Sequence, residues 1–347
     1  MMRTPGANPF SSTLDSFALP IHGGDLVAAE LRFGRPELGW LDLSTGINPY
    51  AYPVPDLPPA RWERLPDASL EAALRIAAAE AYGLPNPDQI VCASGTQILI
   101  QMLPRLRPYS NVAIVGPTYG EHTTCWTNAG HQVMPCETLD RIGDAEVVVV
   151  VNPNNPDGRR HDPQRLLQIA EGLAARGGLL VLDEAFCDVT PEMSLASQAG
   201  PGLLVLRSFG KFYGLAGLRL GFALCEPSLA RLLKQVLGPW IVGGPALEIG
   251  RQALENRDWA EQTRQLLAHE AGLLDNLLTQ AGFSVTGGTS LFRLVNAPRA
   301  WALYEFLGQR GILVRPFTAS PRWLRFGLPP GQPARDRLAA ALAEWNE

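Results

Sequence analysis

Lysine is nearly absent from this chain. It has two, Lys211 and Lys234, so 27 of its 29 basic residues are arginine. Cysteine is sparse as well: Cys92, Cys125, Cys136, Cys187 and Cys225 are widely spaced, with no C-x-x-C. That pattern argues against a disulfide framework and a zinc site, and points to a reducing, cytoplasmic location. The five histidines show no ligand spacing, so no metal centre is expected. No apolar run approaches the length of a membrane span. The first twenty residues lack the continuous apolar core of a secretory signal. A net charge of −5 argues against nucleic acid as a partner.

What remains is a globular composition, 46% hydrophobic and 18% charged, in 347 residues, enough for two domains. Residues 69–82, "SLEAALRIAAAEAY", have helical spacing, a serine to cap them and Gly83 to stop them. A short helix is expected over 25–32. Apolar runs then alternate with helical segments: "QIVCAS", "NVAIVGP", "AEVVVVVNP", "GLLVLDEAF" and "GLLVLRSF". The five valines 147–151 are apolar on both faces, as in a central parallel strand covered by helices. The alternation predicts an α/β fold with a mainly parallel sheet. Helical pattern over 246–281, then "FSVTGGTSLFRLV", a helix over 299–310, "GILVRPF" and "WLRFGLP", predict a smaller α+β domain. The expected division is an N-terminal arm with part of the small domain (1–42), a large domain (43–245) and a small C-terminal domain (246–347).

Ligands of open α/β sheets bind beyond the carboxyl ends of the strands. The segments at those ends are "SGTQ" (94–97), "GPTYGEH" (116–122), "NPNNPDG" (152–158), Asp183 with Glu184, and Gly210 with Lys211. Each has an ordinary reading by itself. An aspartate after a strand can cap a helix, "NPNNPDG" is good turn chemistry, "SGTQ" is a good helix start, and Tyr119 could be core. Lys211 is harder to set aside. It stands among glycines, aromatics and leucines in "SFGKFYGLAGLRLGF" (208–222), where a solvated charge is out of place. An arginine could not lose its proton and add to a carbonyl; a lysine can.

Taken together, "SFGKFYGLAGLRLGF", "NPNNPDG" and "LDEAF" resemble the fold-type I pyridoxal-phosphate enzymes of the class I/II aminotransferase superfamily, over about residues 43–328. The resemblance implies pyridoxal 5'-phosphate as cofactor, with Lys211 holding it covalently and later carrying a proton. It implies that Asp183 bonds the pyridine nitrogen, Asn155 the phenolic oxygen, and that Tyr119 stacks on the ring. Gly95, Thr96, Ser208 and Arg219 would hold the cofactor phosphate. The chain departs from the pattern at Gly210, where relatives often have Ser or Thr, and at Phe186, where many have Tyr.

Two branches are close: the histidinol-phosphate aminotransferases and the L-threonine-O-3-phosphate decarboxylases of cobalamin synthesis. Both act on phosphorylated amino compounds, and the resemblance implies Arg315 and Arg325 as anchors for a doubly anionic substrate. "HGGD" (22–25) and "DLSTGINPYAYP" (42–53) look like the decarboxylases, with His22 and Asn48 toward the substrate. The aminotransferases usually have Glu where Ile47 stands. The expected reaction is therefore decarboxylation, with transamination as the alternative. An inactive aminotransferase-like module of a regulator is a third reading, which the missing basic helix-turn-helix pattern disfavours. A homodimer is expected from the fold. Leu65 in "RLPD" stands where both branches often have a tyrosine reaching the partner's cofactor phosphate.

Overall fold

A computed structural model describes residues 23–345. Its main sheet has seven strands in the spatial order Ile90–Ala93, Gly221–Leu224, Leu203–Ser208, Leu179–Asp183, Val147–Val151, Asn111–Val115 and Gln132–Cys136. Neighbours run parallel except for Gly221–Leu224, which is antiparallel to both of its partners. All five residues of Val147–Val151 are buried. Val148 and Val150 pack into one apolar cluster, Val147 and Val149 into another, because successive side chains of a strand leave opposite faces. The helix Pro163–Ala174 covers the first face with Leu166, Ile169, Ala170 and Leu173, a stripe at helical spacing. The helix Pro227–Leu237 covers the second with Ala230 and Leu233. Each fully buried leucine in these stripes contributes about 2–5 kcal/mol against alanine, transfer and cavity together.

The helix expected over 69–82 spans Ala68–Tyr82, and its cap differs from the expected serine. Asp67 accepts from the Leu70 N–H at 2.9 Å, while the Ser69 hydroxyl only donates to Asp67. Asp67 stands immediately before the first helical residue, Ala68, where a carboxylate reaches the free Leu70 amide, whereas Ser69 is already inside the first turn. The short N-terminal helix is Leu26–Phe33, capped by Asp25. The long helical pattern after 246 is two helices, Gly244–Glu255 and Arg257–Gln280, broken at Asn256, whose side chain caps the second.

A second, antiparallel sheet has the order Arg315–Pro316, Trp323–Gly327, Phe292–Asn296, Ser284–Thr289. Its register sets Arg315 directly opposite Arg325, so both side chains leave the same face. Residues 41–45 join this part of the chain: Leu41–Asp42 pairs in parallel with Ile312–Leu313, and Gly327 N donates to Leu43 O at 2.7 Å. Among the described residues no helix is long and apolar enough to cross a membrane, and no group of side chains could hold a metal ion.

Candidate active site

A cavity of about 490 Å³ lies between the carboxyl end of the main sheet and the face of the small sheet that carries the two arginines. Gly95, Thr96, Tyr119, Asn155, Asp183, Ser208, Lys211, Arg219, Arg315 and Arg325 all line it. The fold collects them for simple reasons. Asp183 and Ser208 are the last residues of adjacent parallel strands. Lys211 sits in the single helical turn Phe209–Phe212 that follows Ser208. Gly95 and Thr96 open the helix Thr96–Met102 directly after the strand Ile90–Ala93.

Asp183 is 3% exposed and its Oδ2 lies 2.9 Å from His122 Nε2, itself 1% exposed. Its Oδ1 accepts from the Ala185 N–H at 3.0 Å. The aspartate is thus oriented from two sides at the cavity wall. Its neighbour Glu184 points away from the cavity. It accepts from Arg207 Nη1 at 2.8 Å, Ser194 Oγ at 2.5 Å and Leu195 N at 2.7 Å, and Arg207 also pairs with Asp188. Burial raises the Glu184 carboxyl against the pull of Arg207.

The Lys211 ammonium is pulled down to about 8, chiefly by burial and then by Arg325 and Arg219. No carboxylate makes an ion pair with it among the described residues. A lysine so placed loses its proton far more readily than a surface lysine, as an amine that must attack a carbonyl requires. Burial, with Glu121, pushes the Tyr119 hydroxyl the other way, to about 12.

The strand ends also leave a cradle. Gly95 has φ +83, and a Cβ there would lie 2.6 Å from Arg219 Nη2, so only glycine lets the guanidinium lie against the loop. Arg219 itself is left-handed at φ 55. Gly210 has a local reason for being glycine: a Cβ would lie 2.7 Å from Ala216 Cα. Serine or threonine cannot stand there without a backbone shift. Amides at a helix start, a hydroxyl and an arginine together suit a phosphate.

The opposite wall carries Arg325 and Arg315. Arg325 donates to Asn155 Oδ1 and, at 3.0 Å, to Ser44 O. Its Nε, and Nη1 of Arg315, are buried without a hydrogen-bond partner. Burial, and for Arg325 its neighbour Arg315, lowers the affinity of both guanidiniums for their protons. Buried, mutually repelling donors with unsatisfied N–H groups are a site for anions. The donor set fits pyridoxal phosphate: a buried carboxylate, an amine with a depressed pKa, an aromatic wall and a phosphate cradle border one cavity.

Asn48 corrects an expectation. It is 2% exposed, donates to Phe212 O at 2.8 Å and accepts from Tyr50 N, and it does not line the cavity. Its backbone N–H also donates to Lys211 O at 2.9 Å, so it holds the lysine turn. His22 lies outside the described residues. The sequence reading missed His122 and Gln97. The signal for His122 was its place three residues after Tyr119, one helical turn along "GPTYGEH".

The fold and this constellation define a member of a known family: the chain belongs to "Aminotransferase class I and II", whose sequence pattern matches residues 59–342. It is similar to the threonine-phosphate decarboxylase of Pseudomonas aeruginosa, 43% identical over 94% of this chain and 98% of that one. It is also similar to that of a Sinorhizobium species, 47% identical over the same shares. Among solved structures, the histidinol-phosphate aminotransferase of Sinorhizobium meliloti in complex with pyridoxal-5'-phosphate has a TM-score of 0.78 at 24% identity, over 96% of this chain and 98% of that one.

Proposed function

We propose that the chain decarboxylates L-threonine O-3-phosphate with pyridoxal 5'-phosphate, giving aminopropanol phosphate and carbon dioxide in the pathway to cobalamin. The observation that carries this reading is the pair of arginines on the same cavity as Lys211, each with a buried N–H position that has no partner, in a chain 43–47% identical to threonine-phosphate decarboxylases along nearly its whole length. When bound, the cofactor supplies an electron sink for the pair released at the substrate's α-carbon.

The chain's residues then have the following roles. Lys211 attaches the cofactor and returns a proton to the α-carbon after carbon dioxide leaves. Asp183, fixed by His122, keeps the ring nitrogen protonated. Asn155 donates to the phenolic oxygen and Tyr119 covers the ring. Gly95, Thr96, Ser208 and Arg219 bind the cofactor phosphate. Arg315 and Arg325 bind the substrate's two anionic groups. Which bond at the α-carbon breaks is decided by how the substrate is oriented, and Arg315 and Arg325, as its anchors, would set that orientation.

The working unit is a homodimer in the cytoplasm. Exposed Trp62, Leu65 and Trp240 support the first, and five free thiols support the second. The test is to supply L-threonine O-3-phosphate without any keto acid and measure carbon dioxide and aminopropanol phosphate. Transfer of the amino group from histidinol phosphate to 2-oxoglutarate, with no carbon dioxide, would overturn the reading.

A further inference from the structure

Two members of a polar chain on the cavity wall, Gln97 and Glu121, have no part in the roles above. Gln97 is the second residue of the helix Thr96–Met102, next to the phosphate cradle. Tyr119 and Glu121 flank the start of the helix Gly120–Asn128. All three line the cavity. Gln97 Nε2 donates to Glu121 Oε2 at 2.8 Å, and Tyr119 Oη donates to Gln97 Oε1 at 3.1 Å.

The order of donors follows from chemistry. An ionised carboxylate only accepts, so Glu121 must face the amide's NH2 group. That turns the amide oxygen toward Tyr119. An amide oxygen only accepts, so the phenol must donate to it. Reversing the amide would set its oxygen against the carboxylate and leave two acceptors facing each other.

We propose that Gln97 and Glu121 are positioning residues that commit the Tyr119 hydroxyl hydrogen to Gln97, so that Tyr119 serves the reaction as a ring wall and not as a proton donor. The inference rests on the reading in which Tyr119 lies against the cofactor ring. Two things support it independently of the hydrogen bonds. Burial and Glu121 keep the phenol neutral, so it retains the hydrogen it donates. Lys211, on the same cavity, is the group whose proton is made mobile.

The test is a double-mutant cycle on the holoenzyme. Gln97→Leu, Tyr119→Phe and the double variant are compared for pyridoxal-phosphate affinity, for the visible absorption of the bound cofactor, and for kcat and KM. Gln97→Leu alone is expected to weaken cofactor affinity and kcat/KM by roughly 2- to 10-fold, the range for one hydrogen bond. In the Tyr119→Phe background the same change is expected to cost less than about 2-fold, because its target is gone.

Gln97→Glu guards against a merely structural effect. Protonated, it keeps both hydrogen bonds. Ionised, it opposes Glu121, with Asp183 adding negative charge near Tyr119 and Arg315 opposing it. Its cofactor affinity is expected to match wild type at low pH and to fall with rising pH, where wild type does not. Additive losses in the cycle, or a Gln97→Glu profile parallel to wild type, overturn the proposal. If wild type releases no carbon dioxide from L-threonine O-3-phosphate but the cycle still couples in cofactor affinity, the proposed reaction fails and the positioning role stands.

Discussion

On the wall built by the seven-stranded sheet, two of the groups assigned to the cofactor, Asp183 and Tyr119, are already partnered. Asp183 is fixed by His122 and by the Ala185 amide, and Tyr119 by Gln97. On the wall built by the small sheet, Arg325 and Arg315 stand side by side with buried N–H groups unsatisfied. The first wall costs no reorganisation when its ligand arrives, which is how electrostatic preorganisation works. The second is completed only by anions. Asn155 touches both: it follows the strand Val147–Val151 and accepts from Arg325. In the proposed reaction the resident cofactor would take the finished wall and the exchanging substrate the unfinished one.

The largest effects should come from breaking the finished wall. Lys211→Ala should remove nearly all activity, by several orders of magnitude, while leaving noncovalent cofactor binding; borohydride should label only the Lys211 peptide in wild type. A label on Lys234 contradicts the assignment. Asp183→Asn should also cost orders of magnitude in kcat. Glu184→Gln sharpens the contrast, because its partner Arg207 is buried in a structural network. It should cost stability, about 3–5 kcal/mol in a denaturant titration, more than it costs turnover in the folded fraction.

A smaller effect concerns pH. The Lys211 pKa is lowered in the fold, so the apoprotein's stability should rise as pH climbs from about 8 toward the unfolded value, where the unfolded chain holds the extra proton. Cofactor attachment, followed by absorbance, should accelerate through about pH 8, since the neutral amine reacts. Arg325→Met removes one depressing charge, so the midpoint should move upward. An unchanged midpoint means Arg325 does not act on Lys211.

Much of this was legible in sequence for identifiable reasons. The five valines have no polar alternation, so a central strand was readable, and Lys211 stood out because a lone lysine in an apolar setting has little structural use. The pairing of Arg315 with Arg325 was not readable, because strand register is set across the chain rather than along it. Asn48 misled for a related reason. Nothing local says that its amide is taken up by Phe212 O, a residue 164 positions away. Asp67 displaced Ser69 as a cap through a one-residue difference in where the helix begins, the least readable feature of a helix.

The most direct test of the two-wall account compares L-threonine O-3-phosphate with L-threonine by kcat/KM, in wild type and in Arg315→Ala. Hydrogen bonds to charged groups contribute about 1.5–3 kcal/mol each, so wild type should prefer the phosphorylated substrate by roughly 10- to 150-fold or more. Arg315→Ala should narrow that preference by acting on the phosphorylated substrate alone, with the bound cofactor's absorption unchanged. If the variant keeps the full preference, or loses cofactor instead, the unfinished wall is not where the substrate's anions bind.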